Sequence, residues 1–215
     1  MLLQACLTLV LLGSACKAVH LLPQPSALTL RWQQLEPASG DLLLFRLAGV
    51  KDDVLRFCFH CPITHVGLLV LDRRRRPFVW ETTRNGCHLV PLARYSCQPG
   101  STAVYRQLRG HRPPHFAARL ERFIRHHLQV PYGHDYWRAL HNRLFPYLPL
   151  NAPRQRKVRF CSDLVAEALG HLGVLDFAES LDDPADLLPV DFTQCSERLP
   201  WARGYSLGEE IRIAY

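Results

Sequence analysis

Residues 160–173, FCSDLVAEALGHLG, have the pattern of an amphipathic helix that begins at a cysteine. Apolar residues recur at the spacing of a stripe that faces a core, and they are Leu164, Val165, Ala168, Leu169 and Leu172. Gly173 then marks the C-terminal end, because glycine readily adopts the left-handed conformation that closes a helix. The segment therefore predicts a helix that packs one face against the core and carries Cys161 in its first turn.

A thiol in the first turn of a helix lies at the positive end of the helix dipole, among backbone N–H groups without intrahelical partners. Both features favour the thiolate over the thiol. The same N–H groups can stabilise an oxyanion after the thiolate attacks a carbonyl carbon. Cys161 is therefore a candidate nucleophile. A buried structural cysteine fits this segment equally well, since free cysteine is among the most buried residue types.

The length and composition favour one globular domain. The chain has 215 residues, of which 48% are hydrophobic and 21% charged, which is enough for a full core. The net charge of +7 includes the run Arg73, Arg74, Arg75 and Arg76, which could contact an anionic surface such as lipid headgroups. A solvated hairpin turn is the simpler interpretation of this run. No nucleic-acid-binding motif of aromatic and basic residues stands out in the sequence, so we expect no nucleic-acid partner.

The N-terminal residues 1–20 resemble a signal peptide. Residues 7–12 form a short apolar core, and small residues suited to cleavage follow at 13–18. An uncleaved hydrophobic segment, anchored through a lipid on Cys16, is the alternative. We expect a secreted or secretory-pathway protein in which 21–39 is an irregular lead-in and 40–215 is a single domain.

Six cysteines follow the leader: Cys58, Cys61, Cys87, Cys97, Cys161 and Cys195. Three disulfides could use them all, but a free Cys161 would leave at least one other unpaired. The motif Cys58-Phe59-His60-Cys61 most simply provides a structural disulfide or a plain pair of thiols. A zinc site with a third ligand from elsewhere, or a redox-active dithiol, remains open.

The order of elements indicates an α+β fold with an antiparallel sheet. Strands are predicted over 41–46, 64–71, 77–82, 87–92, 102–108 and 210–214, and a capped turn over 183–186. A helix is predicted after Pro114, and a short one over 134–145. The apolar face of the first of these helices comprises Phe116, Leu120, Phe123, Ile124 and Leu128.

His65 opens the most apolar strand, where it is either a core histidine or a functional one. If Leu71 opposes Pro77 in the hairpin, Gly67 opposes Glu81, and Glu81 becomes the diagonal neighbour of His65 on the same face. The missing side chain at Gly67 leaves space between them. A shift of one residue would move Glu81 to the other face.

Five segments together resemble a known family. They are GDLLLFR (40–46), THVGLLV (64–70), FVWETTRNGCHLVPL (78–92), VPYG (130–133) and FCSDLVAEALGHLGV (160–174). In this order they resemble YiiX-like proteins, the circularly permuted branch of the NlpC-type papain-like superfamily, which also has poxviral members. The resemblance spans residues 40–191. It implies a permuted papain-like fold, with an antiparallel sheet packed against helices.

The same resemblance implies residue roles and an activity. His65 would be the base, Glu81 its orienting group, Cys161 the nucleophile, and Tyr132 an aid to the oxyanion or substrate. The activity would be a thiol-dependent hydrolase or acyltransferase acting on an amide or ester, with a peptide-like, cell-wall or lipid acyl substrate and no metal or organic cofactor. The alternatives are a non-catalytic binding or structural module, or a secreted protein stabilised by zinc or by disulfides that include Cys161.

Overall fold

The computed structural model describes residues 28–47, 61–96, 102–128, 130–131, 133, 141–143, 147, 160–178 and 183–214. The predictions for the leader 1–20, for Cys58 and Cys97, for Tyr132 and for most of the helix over 134–145 concern residues outside this description.

Nine strands form two sheets in the described residues. They are β1 (Leu28–Arg31), β2 (Leu42–Arg46), β3 (His65–Leu71), β4 (Pro77–Thr83), β5 (Gly86–Pro91), β6 (Thr102–Arg106), β7 (Leu108–Arg109), β8 (Ser206–Leu207) and β9 (Ile211–Ala214). The main sheet has the order β1-β9-β6-β2-β3-β4-β5, and β7 pairs with β8. Only β1 and β9 are parallel among these pairs. The predicted α+β class with a mostly antiparallel sheet is confirmed.

The described α-helices are α1 (Ala93–Ser96), α2 (Phe116–His127) and α3 (Cys161–His171). Short 3-10 turns lie at Trp32–Gln34, Pro184–Asp186 and Pro189–Phe192. The Asp183 side chain caps the second of these by accepting the Ala185 N–H at 2.8 Å, as the sequence predicted. None of the helices in the described part of the chain has the length and apolar character to cross a membrane.

Two predicted segments differ from the structure. The lead-in 21–39, expected to be irregular, contains β1 and a 3-10 turn. The sequence of β1, Leu-Thr-Leu-Arg, alternates apolar and polar residues, but four residues with mostly exposed side chains are too short a run to indicate a strand. Parallel pairing with β9 holds β1 in the sheet. The strand expected over 102–108 divides into β6 and β7, and β7 pairs with β8 instead of continuing the main sheet.

The two faces of the main sheet are both buried. Along β2, Leu42 and Leu44 belong to the core beneath α2 and α3, whereas Leu43 and Phe45 pack with Tyr95 on the other face. This is the alternation that a pleated strand imposes. In α2, the predicted face is buried at Phe116, Leu120, Phe123 and Ile124, but Leu128 follows the last helical residue and is 41% exposed.

The Cys161 helix has the predicted bounds. It begins at Cys161 and ends in a Schellman motif, in which Gly173 has a φ of +75° and the Val174 N–H donates to the Leu169 carbonyl at 2.9 Å. The helix packs against β3 and β4. This packing places its N-terminus near the beginning of β3.

The β3–β4 hairpin has the predicted register, with Leu71 opposite Pro77 and Leu68 opposite Trp80. The arginine run forms its turn. The Asp72 carboxylate accepts the Arg74 and Arg76 N–H groups and the Arg76 Nε–H, at 2.7–2.9 Å. Arg75 has a φ of +57°, which the tight turn requires.

Gly67→Ala tests the close approach within this hairpin. A Cβ at Gly67 would lie 2.5 Å from Val79 Cγ1 and 3.1 Å from the Trp80 carbonyl oxygen. Since neither a core valine nor strand backbone can move freely, we expect a loss of about 1–3 kcal/mol of unfolding free energy, measured by chemical denaturation.

Gly170→Ala is the matched control, because Gly170 lies in α3 and its added Cβ would meet the partly exposed Phe177 ring at 3.3 Å. We expect no loss, and a gain of up to about 1 kcal/mol from helix propensity. Equal stability of Gly67→Ala and the wild type would contradict this description of the hairpin.

Candidate active site

Cys161 is the first residue of α3 and its side chain is almost fully enclosed, since the residue is 8% exposed. The preceding residue, Phe160, has extended backbone, and its carbonyl accepts the Leu164 N–H at 3.0 Å. The chain thus enters the helix immediately before the sulfur. Cys161 lies where the first-turn N–H groups of the helix are free of intrahelical partners.

The hairpin brings His65 and Glu81 into direct contact. His65 Nε2 and Glu81 Oε2 are within hydrogen-bonding distance, and the two residues are 6% and 2% exposed. Because a carboxylate only accepts hydrogen bonds, Nε2 carries a proton and donates it to Glu81. Nδ1 is then the ring nitrogen that remains to exchange a proton with another group.

That other group is Cys161, which lies beside the His65 ring and is the largest of the influences that raise the pKa of this ring. Burial lowers the pKa of His65, but the charge of Cys161, its hydrogen bond and the contact with Glu81 outweigh burial and raise this pKa to about 10. The structure therefore places a thiol, an imidazole and a carboxylate in one connected, buried chain.

Two further side chains hold the Glu81 carboxylate. The Tyr95 hydroxyl, from α1, donates to Oε2, the same oxygen that contacts His65. His88 lies directly opposite Glu81 in the β4–β5 pair, with Nε2 3.6 Å from Oε1. Its Nδ1–H donates to the Gly86 carbonyl at 2.8 Å, so Nε2 carries a proton only when the ring is charged.

These contacts decide the charge of Glu81. Burial raises the pKa of this carboxyl group. The hydrogen bond and charge of His65, the Tyr95 hydroxyl and the charge of His88 lower it by more than burial raises it, so the pKa of Glu81 lies below its ordinary value. Burial and the neighbouring Glu81 raise the pKa of Tyr95, which keeps its hydroxyl protonated as a donor. Glu81 is therefore held as the carboxylate.

Sequence analysis missed His88 and Tyr95. The sequence did contain a signal for His88. A two-residue hairpin turn at Arg84–Asn85 pairs Thr83 with Gly86, and the same register pairs Glu81 with His88. No local pattern marks Tyr95, since it lies in a four-residue helix and reaches Glu81 by tertiary packing. Phe45 stacks on its ring at a centroid distance of 4.1 Å, which fixes the hydroxyl. Tyr132 lies outside the described residues.

The described residues contain no group of three or more histidine, cysteine, aspartate or glutamate side chains arranged to hold a metal ion. In the same part of the chain, Cys61, Cys161 and Cys195 are free thiols. The prediction of a structural disulfide or zinc site at Cys58 and Cys61 depends on Cys58, which lies outside the description.

Comparison with known proteins identifies one kind of fold. No protein-family model and no curated protein matches this sequence. The crystal structure of the metalloprotein yiiX from Escherichia coli O157:H7 resembles this chain with a TM-score of 0.52 and 17% sequence identity, covering 84% of this chain and 98% of that one. The likeness shows a YiiX-like fold. At this identity it transfers no residue roles.

The coupled His65 and Cys161 groups predict a specific pH dependence of stability. Since the pKa of folded His65 lies above its ordinary value of 6.5, its protonation stabilises the fold fully below that pH, and this contribution is lost as the pH rises toward about 10. We expect Cys161→Ala, which removes one partner, to flatten the decline in unfolding free energy between these pH values. Parallel curves for the two proteins would contradict the coupling.

Tyr95→Phe tests the support of Glu81. The loss of a buried hydrogen bond to a carboxylate predicts a loss of about 1–3 kcal/mol in unfolding free energy. Because Glu81 contributes stability above its ordinary pKa of 4.5, which is lost as the pH falls, this variant should also lose stability at a higher pH on acidification.

Tyr105→Phe is the matched control, since Tyr105 donates to the buried Asp41 carboxylate at 2.6 Å, away from the site. It should cost similar stability without changing the pH dependence of Cys161 alkylation. Tyr95→Phe should change that dependence. Identical alkylation profiles for the two variants would show that Tyr95 has no connection to the sulfur.

Proposed function

We propose that this protein is a cysteine hydrolase or acyltransferase that acts on an amide or ester. The observation that carries the proposal is that the His65 ring contacts Glu81 while Cys161 lies near enough to raise the pKa of the same ring. A nucleophile, a base and a group that orients the base are the three parts that covalent acyl transfer requires.

In the proposed reaction, the Cys161 sulfur bonds to the carbonyl carbon while the proton shared by Cys161 and His65 rests on Nδ1 of the His65 ring. The carbonyl oxygen becomes an oxyanion, which the first-turn N–H groups of α3 stabilise. The tetrahedral intermediate then expels the amine or alcohol, which takes the proton from His65. Water, or another amine or alcohol, attacks the resulting thioester with His65 as base and restores the thiol.

Glu81 has the role of a positioning group in this mechanism. Its carboxylate accepts the Nε2–H of His65, which selects the tautomer with a free Nδ1 and stabilises the imidazolium that forms. The Tyr95 hydroxyl occupies a second donor position on the same oxygen. Together they restrict the carboxylate to one orientation.

The order of the elements in the fold also supports the proposal. A mostly antiparallel sheet, a strand that begins at His65 and a later helix that begins at Cys161 agree with a circularly permuted papain-like fold, in which histidine precedes cysteine along the chain. We include this finer classification in the proposal. The substrate classes it suggests are peptide-like, cell-wall and lipid acyl compounds.

The solved structure with the similar fold is called a metalloprotein, so the donors of this site require comment. His65 Nε2 and Glu81 Oε2 are engaged with one another, and His88 Nδ1 donates to a carbonyl. No group of three metal-type ligands occurs among the described residues. No step of the proposed reaction uses a metal ion.

Site-resolved labelling tests the proposal. The protein is treated with iodoacetamide, and separately with an activated acyl ester, and the modified cysteines are identified by peptide mass spectrometry. We expect Cys161 to be alkylated and acylated at neutral pH, and His65→Gln to slow both reactions by about 100-fold or more, the usual contribution of a general base.

In fully reduced protein the exposed Cys195 is an internal reference, because its labelling reports accessibility alone. His127→Gln is the control variant, since its ring stacks on Phe123 in α2 and lies outside the site. If Cys161 is unreactive, or if its labelling rates are equal in wild type and His65→Gln, the proposal of an enzyme is overturned. Either result would support a non-catalytic binding or structural module.

A further inference from the structure

A second pair of thiols lies beside a small cavity that the proposed chemistry does not use. The cavity has a volume of about 150 Å³ and is lined by Cys61, from the segment that leads into β3, and by Cys195, from the segment that precedes β8. Arg46, Glu210 and Arg212 line the same cavity. Two chain segments that are far apart in sequence therefore present one thiol each to a shared space.

The two thiols differ in their surroundings. Cys195 is exposed, whereas Cys61 is partly buried and packs against the main core. Burial raises the pKa of the Cys61 thiol to about 11, and the charges of Glu210 and Cys195 act in the same direction. This environment disfavours a charged sulfur at Cys61 and accommodates a neutral one.

We propose that Cys61 and Cys195 are oxidised to a disulfide bond. The proposal concerns different thiols from those of the proposed function, so either can fail without the other. The signal-peptide-like segment 1–20 predicts transport into an oxidising compartment, where such bonds form and persist.

The oxidant is a low-molecular-weight disulfide such as glutathione disulfide, which is itself reduced. The thiolate of Cys195, the exposed residue, attacks one sulfur of the oxidant and releases one glutathione. Cys61 loses its proton, and its sulfur attacks the Cys195 sulfur of the mixed disulfide and releases the second glutathione. Two protein thiols have then lost two electrons and two protons to one oxidant molecule. Because the second step needs the Cys61 thiolate, closure should accelerate as the pH rises.

The bond would have two consequences. It would tie the segment before His65 to the C-terminal part of the chain, which restricts the unfolded state across a long loop. It would also remove Cys61 and Cys195 from the pool of reactive thiols. Cys161 could then remain reduced in an oxidising compartment, as the proposed function requires.

Non-reducing peptide mapping tests the proposal. The full chain is equilibrated with a mixture of reduced and oxidised glutathione, free thiols are alkylated, and the digest is analysed by mass spectrometry. We expect a linked pair of peptides containing Cys61 and Cys195, and alkylated Cys161. Recovery of Cys61 joined to Cys58 or Cys97, or of both residues alkylated, would overturn the proposal. So would bound zinc that protects the two thiols from alkylation.

Single serine variants provide a second measurement. Wild type should unfold at a temperature several degrees higher when oxidised than when treated with a reductant. Cys61→Ser and Cys195→Ser should each lose this difference. Cys161→Ser, the matched control, should keep it. A difference that persists in both Cys61→Ser and Cys195→Ser would assign the bond to other cysteines and refute the proposal.

Discussion

The burial of the Glu81 carboxylate is the constraint on which the rest of the site depends. A charged group that is 2% exposed loses most of its hydration, and only close partners can compensate for this loss. Its partners come from three elements: His65 from β3, Tyr95 from α1 and His88 from β5. Two strand registers and the docking of a short helix must therefore agree before Glu81 can remain charged.

The packing around the sheet also fixes where the Cys161 sulfur lies relative to His65 and Glu81. The Cys161 helix packs against the strands that carry His65 and Glu81, so the core beneath the helix sets the position of its N-terminus relative to these strands. Phe45 continues this support on the other face, since its ring stacks on Tyr95 and lies 6.0 Å from the His65 ring. Packing on both faces of the sheet thus sets the positions of the reacting groups.

The parts of the site that sequence could predict are those that follow from local patterns. The apolar stripe and Gly173 located the cysteine helix, and the pairing of Leu71 with Pro77 placed Glu81 near His65. Tyr95 could not be predicted, because its contact is tertiary and its helix is too short for a periodic signal. The strand β1 was also missed, since its alternating pattern covers only four residues and its parallel partner β9 lies far away in sequence.

The central claim is that His65 is shared between a carboxylate and the Cys161 sulfur, and nitrogen-15 NMR of labelled histidine measures this directly. The account predicts that the His65 ring remains protonated at pH 8, above its ordinary pKa of 6.5. In Cys161→Ala the same ring should lose its proton at a lower pH. A His65 ring that is already neutral at pH 7, with a titration unchanged by removal of the sulfur, would contradict the account.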